Sequence, residues 1–111
     1  MTETEFLSVA QGVLDQIETA IEQAADIADV DVECARSGNV LEIEFIANRS
    51  KMIINTQSPM QEIWVAARAG GFHFRLQQGQ WCDTRDGSEL FAALSKLASE
   101  QAAVTLNLSA A

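Results

Sequence analysis

The first 35 residues contain no Lys and no Arg, although they carry nine acids: Glu3, Glu5, Asp15, Glu18, Glu22, Asp26, Asp29, Asp31 and Glu33. Residues 36–111 hold seven acids and seven bases, which cancel, so the whole formal charge of −9 belongs to the first third of the chain. A field of that sign attracts cations and basic protein surfaces and repels polyphosphates. No nucleic-acid partner is expected.

Other features are equally scarce. No apolar run approaches the roughly 20 residues that span a bilayer, so no membrane partner is expected. The start, MTETEF, is acidic where a signal peptide is basic. Cys34 and Cys82 lie far apart, without C-x-x-C or His-paired spacing. Both fall in strand-like segments and read as buried free thiols, with a disulfide as the alternative. A reducing cytoplasm is the expected location. The single histidine, His73 in FHFRL, emerges opposite Phe72, Phe74 and Leu76. It has no acid–base partner that the sequence identifies, and it reads as a surface residue. There is no G-x-S-x-G, P-loop, dinucleotide fingerprint or H-E-x-x-H. No catalytic residue is assigned and no enzyme is expected.

What is present is a foldable chain. Nearly half of its 111 residues are apolar, enough for one globular domain over residues 1–111. Between residues 6 and 24, Phe6, Ala10, Val13, Leu14, Ile17, Ile21 and Ala24 recur at helical spacing, and Thr2 with Glu5 can form a capping box at the start. Asp15, Glu18 and Glu22 then cluster away from the apolar face. In residues 29–34 the period changes to two. Val30, Val32 and Cys34 should point inward on a strand, while Asp29, Asp31 and Glu33 share the other face. The segments VLEIEF, KMIIN, IWVAA, FHFRL and WCD follow, separated by turn residues, as in an antiparallel meander. Asp86 as N-cap, with Glu89 closing its box, should start a second helix that buries Leu90, Phe91, Leu94, Leu97 and Ala98. VTLNL reads as a last strand. The expected class is α+β: two helices packed on one face of a single antiparallel sheet of about six to seven strands. The sheet's other face is left open to solvent or to a partner.

Two places carry candidate function. Residues 18–33 hold six carboxylates and no base: Glu18, Glu22, Asp26, Asp29, Asp31 and Glu33. Such a run is commonly a solvated face. Here the acids are segregated and fall on two adjoining surfaces, an all-oxygen array that suits hard cations and not zinc. The valines and Cys34 exclude an EF-hand loop, so binding would be open, hydrated and weak. The second place is Trp64, which points outward between Ile63 and Val65. It reads either as an amphipathic tryptophan packed under its neighbours or as a binding hot spot.

The segment IINTQSPMQEIW, then GGFHF, then Trp81 and Arg85-Asp86-Gly87 before the second helix, closely resembles the bacterial branch of the frataxin family. The similarity runs from Glu5 to about Thr105. It implies the frataxin-like α/β sandwich, and a function as an iron-binding adaptor or regulator of iron–sulfur cluster assembly. Carried over by position, the iron ridge is Glu18, Glu22, Asp26, Asp29, Asp31 and Glu33, binding ferrous or ferric iron weakly at surface carboxylates. The partner-binding residues of the sheet face are Asn55, Gln57 and Trp64. The implied partners are the cysteine desulfurase and the iron–sulfur scaffold protein. A monomer is expected, with metal-induced oligomers as the alternative. The rival readings are a carboxylate-based ferroxidase and an acidic protein-binding module without a metal role. Related ridges often have adjacent acids mid-helix, whereas here Thr19 follows Glu18.

Overall fold

The computed structural model describes residues 1–110; Ala111, the last residue of the expected domain, lies outside them. Helix α1 (Glu3–Ala28) begins with the expected capping box. The Thr2 hydroxyl accepts the Glu5 backbone N–H at 3.1 Å, and the Glu5 carboxylate accepts the Thr2 N–H at 2.8 Å. Its buried stripe is Phe6, Ala10, Val13, Leu14, Ile17, Ile21 and Ala24, joined by Ala20 and Ala25. The helix ends at Asp29, which adopts the left-handed conformation (φ 58°, ψ 47°), and the next N–H, of Val30, reaches back to the Ala25 carbonyl at 2.8 Å.

That cap corrects the expected strand over residues 29–34. Asp29 closes the helix, Asp31 precedes the ladder, and only Glu33 of the three acids lies within β1 (Val32–Ser37). Asp tolerates the left-handed region better than most side chains, which lets the helix run on to Ala28 and puts the start of the ladder at Val32, three residues later than period-two patterning suggests. Val30, Val32 and Cys34 do pack against the core.

The remaining strands are β2 (Val40–Phe45), β3 (Ser50–Gln57), β4 (Glu62–Ala67), β5 (Gly70–Gln77) and β6 (Gln80–Asp83). They form one sheet in the order β1-β2-β3-β4-β5-β6, antiparallel at every step. Short connections enforce that order; between β5 and β6, Gln78 and Gly79 both take positive φ (50° and 81°), as a two-residue type I′ hairpin requires. The register turns Leu41, Ile43, Phe45, Met52, Ile54, Ile63, Val65 and Phe74 toward one face, where they are buried with both helices. Helix α2 (Leu90–Ala102) contributes Leu90, Phe91, Leu94, Leu97 and Ala98.

Two further expectations are corrected here. The α2 N-cap is Glu89, whose carboxylate accepts from Phe91 N at 2.8 Å and Ala92 N at 3.1 Å. Asp86 instead closes a local turn on the N–H of Ser88. VTLNL forms no strand, so the sheet has six. Leu106 and Leu108 are buried in alternation, as a strand would place them, but their backbone is held by side chains of α2. The Ser99 hydroxyl accepts Leu106 N–H and the Ser95 hydroxyl accepts Leu108 N–H, both at 2.8 Å. The alternation holds at Leu106 and Leu108 but not at Val104, which is exposed, and a helix, not a neighbouring strand, takes the hydrogen bonds.

Candidate metal-binding ridge and docking face

The edge strand β1 has acids on both of its sides. Cys34 faces α1, and its thiol is pushed up to about 12 by burial, with the Glu22 and Glu18 carboxylates adding to the effect. Glu18 Oε1 lies 3.8 Å from Nη1 of Arg36, whose side chain shares the inner side of the strand with Cys34, and Glu22 follows one turn later on the helix. Glu33 faces the other way, on the open side of the sheet, in register with Glu44 of β2. Asp26, Asp29 and Asp31 run through the helix end and join the two sides, and all three are exposed. The six predicted ridge residues are thus carried by α1, the turn that follows it and β1, at one edge of the sheet. Charge at an edge also discourages strand-to-strand association.

One base answers part of this band. Arg36, on the inner side of β1, donates from Nη1 to Asp15 Oδ1 at 2.7 Å, lies 3.8 Å from Glu18 Oε1, and donates from Nη2 to Gln11 Oε1. Among the described residues, no basic side chain lies within 4.0 Å of Glu22, Asp26, Asp29, Asp31 or Glu33. The unanswered charge is thus concentrated toward the helix C-terminus, where the macrodipole is also negative. Among the described residues, no three His, Cys, Asp or Glu side chains converge closely enough to hold an ion. The donors fit a hard cation chemically. Their spread fits a hydrated one held by one or two carboxylates at a time, not a closed cage.

The open face of the sheet carries the second candidate set. Asn55 of β3 is in register with Trp64 of β4, and Gln57 with Glu62. Gln57 Nε2 donates to Asn55 Oδ1 at 3.0 Å, so the three predicted docking residues form one patch. Trp64 is both packed and half-exposed. Its ring stacks on His73 of β5 with centroids 4.3 Å apart and planes 7° apart. Its Nε1–H donates to Glu62 Oε1 at 2.9 Å.

Glu62 was missed by sequence reasoning. Its side chain is only 4% exposed, although it sits on the open face, because Trp64 and Arg75 cover it. His73, for which the sequence identifies no acid–base partner, has Nδ1 3.7 Å from Glu62 Oε1. Burial alone would raise the Glu62 pKa; hydrogen bonds from Trp64 and Arg75, with the charge of Arg75 and then of His73, outweigh it and hold the carboxyl below its usual range. Strand alternation did place position 62 beside position 64 on one face; nothing in the spacing showed that the carboxylate would be roofed over. The two cysteines are free, each half-buried, and sit on opposite edge strands of the six-stranded sheet. At about 4.8 Å per strand step they are far beyond disulfide reach.

Residues 1–104 match the family model described as a frataxin-like domain. The chain belongs to the frataxin family. Among curated relatives of this frataxin, the iron–sulfur cluster assembly protein CyaY of Janthinobacterium sp. (strain Marseille) is 61% identical over 108 residues, 97% of this chain and 96% of that protein. The CyaY of Herminiimonas arsenicoxydans is 60% identical over the same shares. In structure, the frataxin of Psychromonas ingrahamii is similar with a TM-score of 0.85 at 32% identity, over 98% of this chain and 99% of that one. A trimeric frataxin of the yeast Saccharomyces cerevisiae, complexed with ferrous iron, gives a TM-score of 0.71 at 26% identity over 85% of each chain. Two helices on a six-stranded antiparallel sheet are thus the frataxin fold. No helix of the described residues is long and apolar enough to cross a membrane.

Proposed function

We propose that this frataxin is a non-enzymatic, iron-binding adaptor of iron–sulfur cluster assembly that works through two separate surfaces. The ridge of Glu18, Glu22, Asp26, Asp29, Asp31 and Glu33 binds iron weakly and docks on a basic patch of the cysteine desulfurase. The sheet face of Asn55, Gln57 and Trp64 approaches the scaffold protein. The observation that carries this reading is the run of exposed carboxylates from Glu22 to Glu33 without a basic neighbour among the described residues. Like charges gathered this way destabilise the free protein by mutual repulsion. A bound cation or a basic partner relieves that repulsion, so each favours the ridge as it stands. The names of the assembly-protein relatives and the ferrous complex of the yeast frataxin support the same direction.

Physically, the two surfaces divide the work. Charge on the ridge steers encounter and makes docking salt-sensitive. The half-buried indole supplies short-range contact once the partners have met. Iron on the ridge neutralises part of the charge that the desulfurase would otherwise meet, which couples the metal level to docking. The test is a desulfurase assay with its scaffold, with and without this protein, at two iron concentrations. The reading expects a change in rate whose size depends on iron. An effect that ignores iron removes the metal from the account, and no effect removes the adaptor.

A further inference from the structure

Glu62 raises a question that packing does not answer. It occupies the solvent-facing side of the sheet, where an apolar or neutral side chain would satisfy β4 equally well, yet its carboxylate is withdrawn from water. A buried charge is retained at a cost unless it is paired and hydrogen-bonded. Here both oxygens are used: Oε1 by the Trp64 indole N–H at 2.9 Å, Oε2 by Arg75 Nη2 at 2.5 Å. The imidazole of His73, 3.7 Å from Oε1, also lies against one face of the indole.

These contacts leave Trp64 with few remaining freedoms. Its only polar atom is satisfied within the protein, and one of its two ring faces is covered. The N–H bond and the stack fix the ring's tilt before any partner arrives. An immobilised aromatic loses little conformational entropy on binding, which favours affinity.

We propose that Glu62 is a positioning residue for the docking face: it holds the Trp64 indole in one orientation and occupies its N–H, so that the partner meets the exposed apolar part of the ring and makes no hydrogen bond to it. This deepens the docking reading above and rests on it. The complementary surface on the partner is apolar, since the ring has no polar atom left to offer. A carbonyl or carboxylate reaching for the N–H would have to displace Glu62, whose bond there is charge-assisted.

The test uses the whole ¹⁵N-labelled protein. Its two tryptophans give two indole N–H signals, and the one lost in Trp64→Phe is that of Trp64. Hydrogen exchange of that proton is measured alongside affinity for the purified desulfurase–scaffold complex. Glu62→Gln still offers an acceptor to the indole, and should keep the proton protected and the affinity close to wild type. Glu62→Leu removes the acceptor. It should leave the proton exchanging with water and weaken assembly about tenfold, while the backbone spectrum stays folded. Trp64→Phe should bind far better than Trp64→Ala, and adding Glu62→Leu to Trp64→Phe should cost little more, since no N–H remains to position.

A folded Glu62→Leu protein with a protected indole proton or unchanged affinity overturns the proposal. So does a Trp64→Phe protein as weak as Trp64→Ala, because the partner is then reading the N–H. If Trp64→Ala itself assembles like wild type, the docking reading fails and the partner's chemistry falls with it. The exchange measurement still decides, on its own, whether Glu62 holds the ring.

Discussion

Replacing Arg36 by Gln removes the only base that, among the described residues, reaches the acidic helix face, and its effect can be worked from the geometry. The guanidinium makes a 2.7 Å pair with Asp15, whose side chain is 72% exposed, so solvent screens that pair to about 0.2–1 kcal/mol. Glu18, at 3.8 Å and 31% exposed, adds a weaker attraction. The hydrogen bond to Gln11 is part-buried and contributes about 1 kcal/mol. Against these stands Arg36 Nε, buried with no partner, whose removal is favourable and trims the total. The sum is a destabilisation of about 1–2 kcal/mol, or roughly 4–8 °C in melting temperature for a chain of this length. Part of the loss is ridge repulsion that Arg36 no longer offsets, so it should shrink in about 1 M salt, where the Debye length falls to about 3 Å. The assay is thermal unfolding followed by circular dichroism at low and high salt, with Asp15→Asn and the double mutant completing a cycle. An unchanged melting temperature at low salt, or an equal loss at both salts, would refute the view of Arg36 as a counter-charge to the ridge.

Two other outcomes follow from the structure. Glu62 has its folded-state pKa lowered, so its ionised form adds stability above its ordinary value near 4.5, and that stability is lost as the pH falls through the lower folded value. Acid unfolding monitored by circular dichroism should therefore respond less steeply to pH below about 4.5 in Glu62→Gln than in wild type; identical acid limbs would contradict the assignment. Ser99→Ala leaves the Leu106 N–H and carbonyl without their part-buried partner and should cost about 1–2 kcal/mol, with faster amide exchange at Leu106 as the local signature.

Much of the fold is legible because its elements are locally consistent. The capping box at Thr2, the apolar stripe through Ile21 and the alternation in VLEIEF each point to one structure, and packing agrees with all of them. The misplacements come where two signals share one pattern. Asp29 fits a period-two strand as well as a helix cap, and only the three-dimensional course of the chain chooses the cap. Leu106 and Leu108 alternate like strand residues, but the hydroxyls of Ser95 and Ser99 supply the hydrogen bonds that a strand would seek from a neighbour. Glu89 fits the closing position of a box begun by Asp86, and instead caps the helix itself.

The site divides in the same way. Segregation of the acids is a property of composition, so the ridge could be read before the fold was known. The patch of Asn55, Gln57 and Trp64 follows from alternation combined with the family resemblance. Contacts between residues distant in sequence were not legible. Arg36 reaches Asp15 across 21 positions, and Arg75 reaches Glu62 across 13; no local periodicity encodes either pair. Each pair sets how much charge its surface exposes.

The central claim is that the unanswered carboxylates at the helix end and the edge strand hold iron, and that the sheet face does not. Anaerobic isothermal titration of ferrous iron into wild type, into Trp64→Ala, and into a protein carrying Asp29→Asn, Asp31→Asn and Glu33→Gln tests this directly. The three ridge substitutions keep side-chain size, and Asn also tolerates the left-handed conformation at position 29. The account predicts that Trp64→Ala binds iron like wild type, since an indole offers no hard oxygen ligand, and that the ridge variant loses most of the binding. A folded ridge variant that titrates like wild type would contradict it.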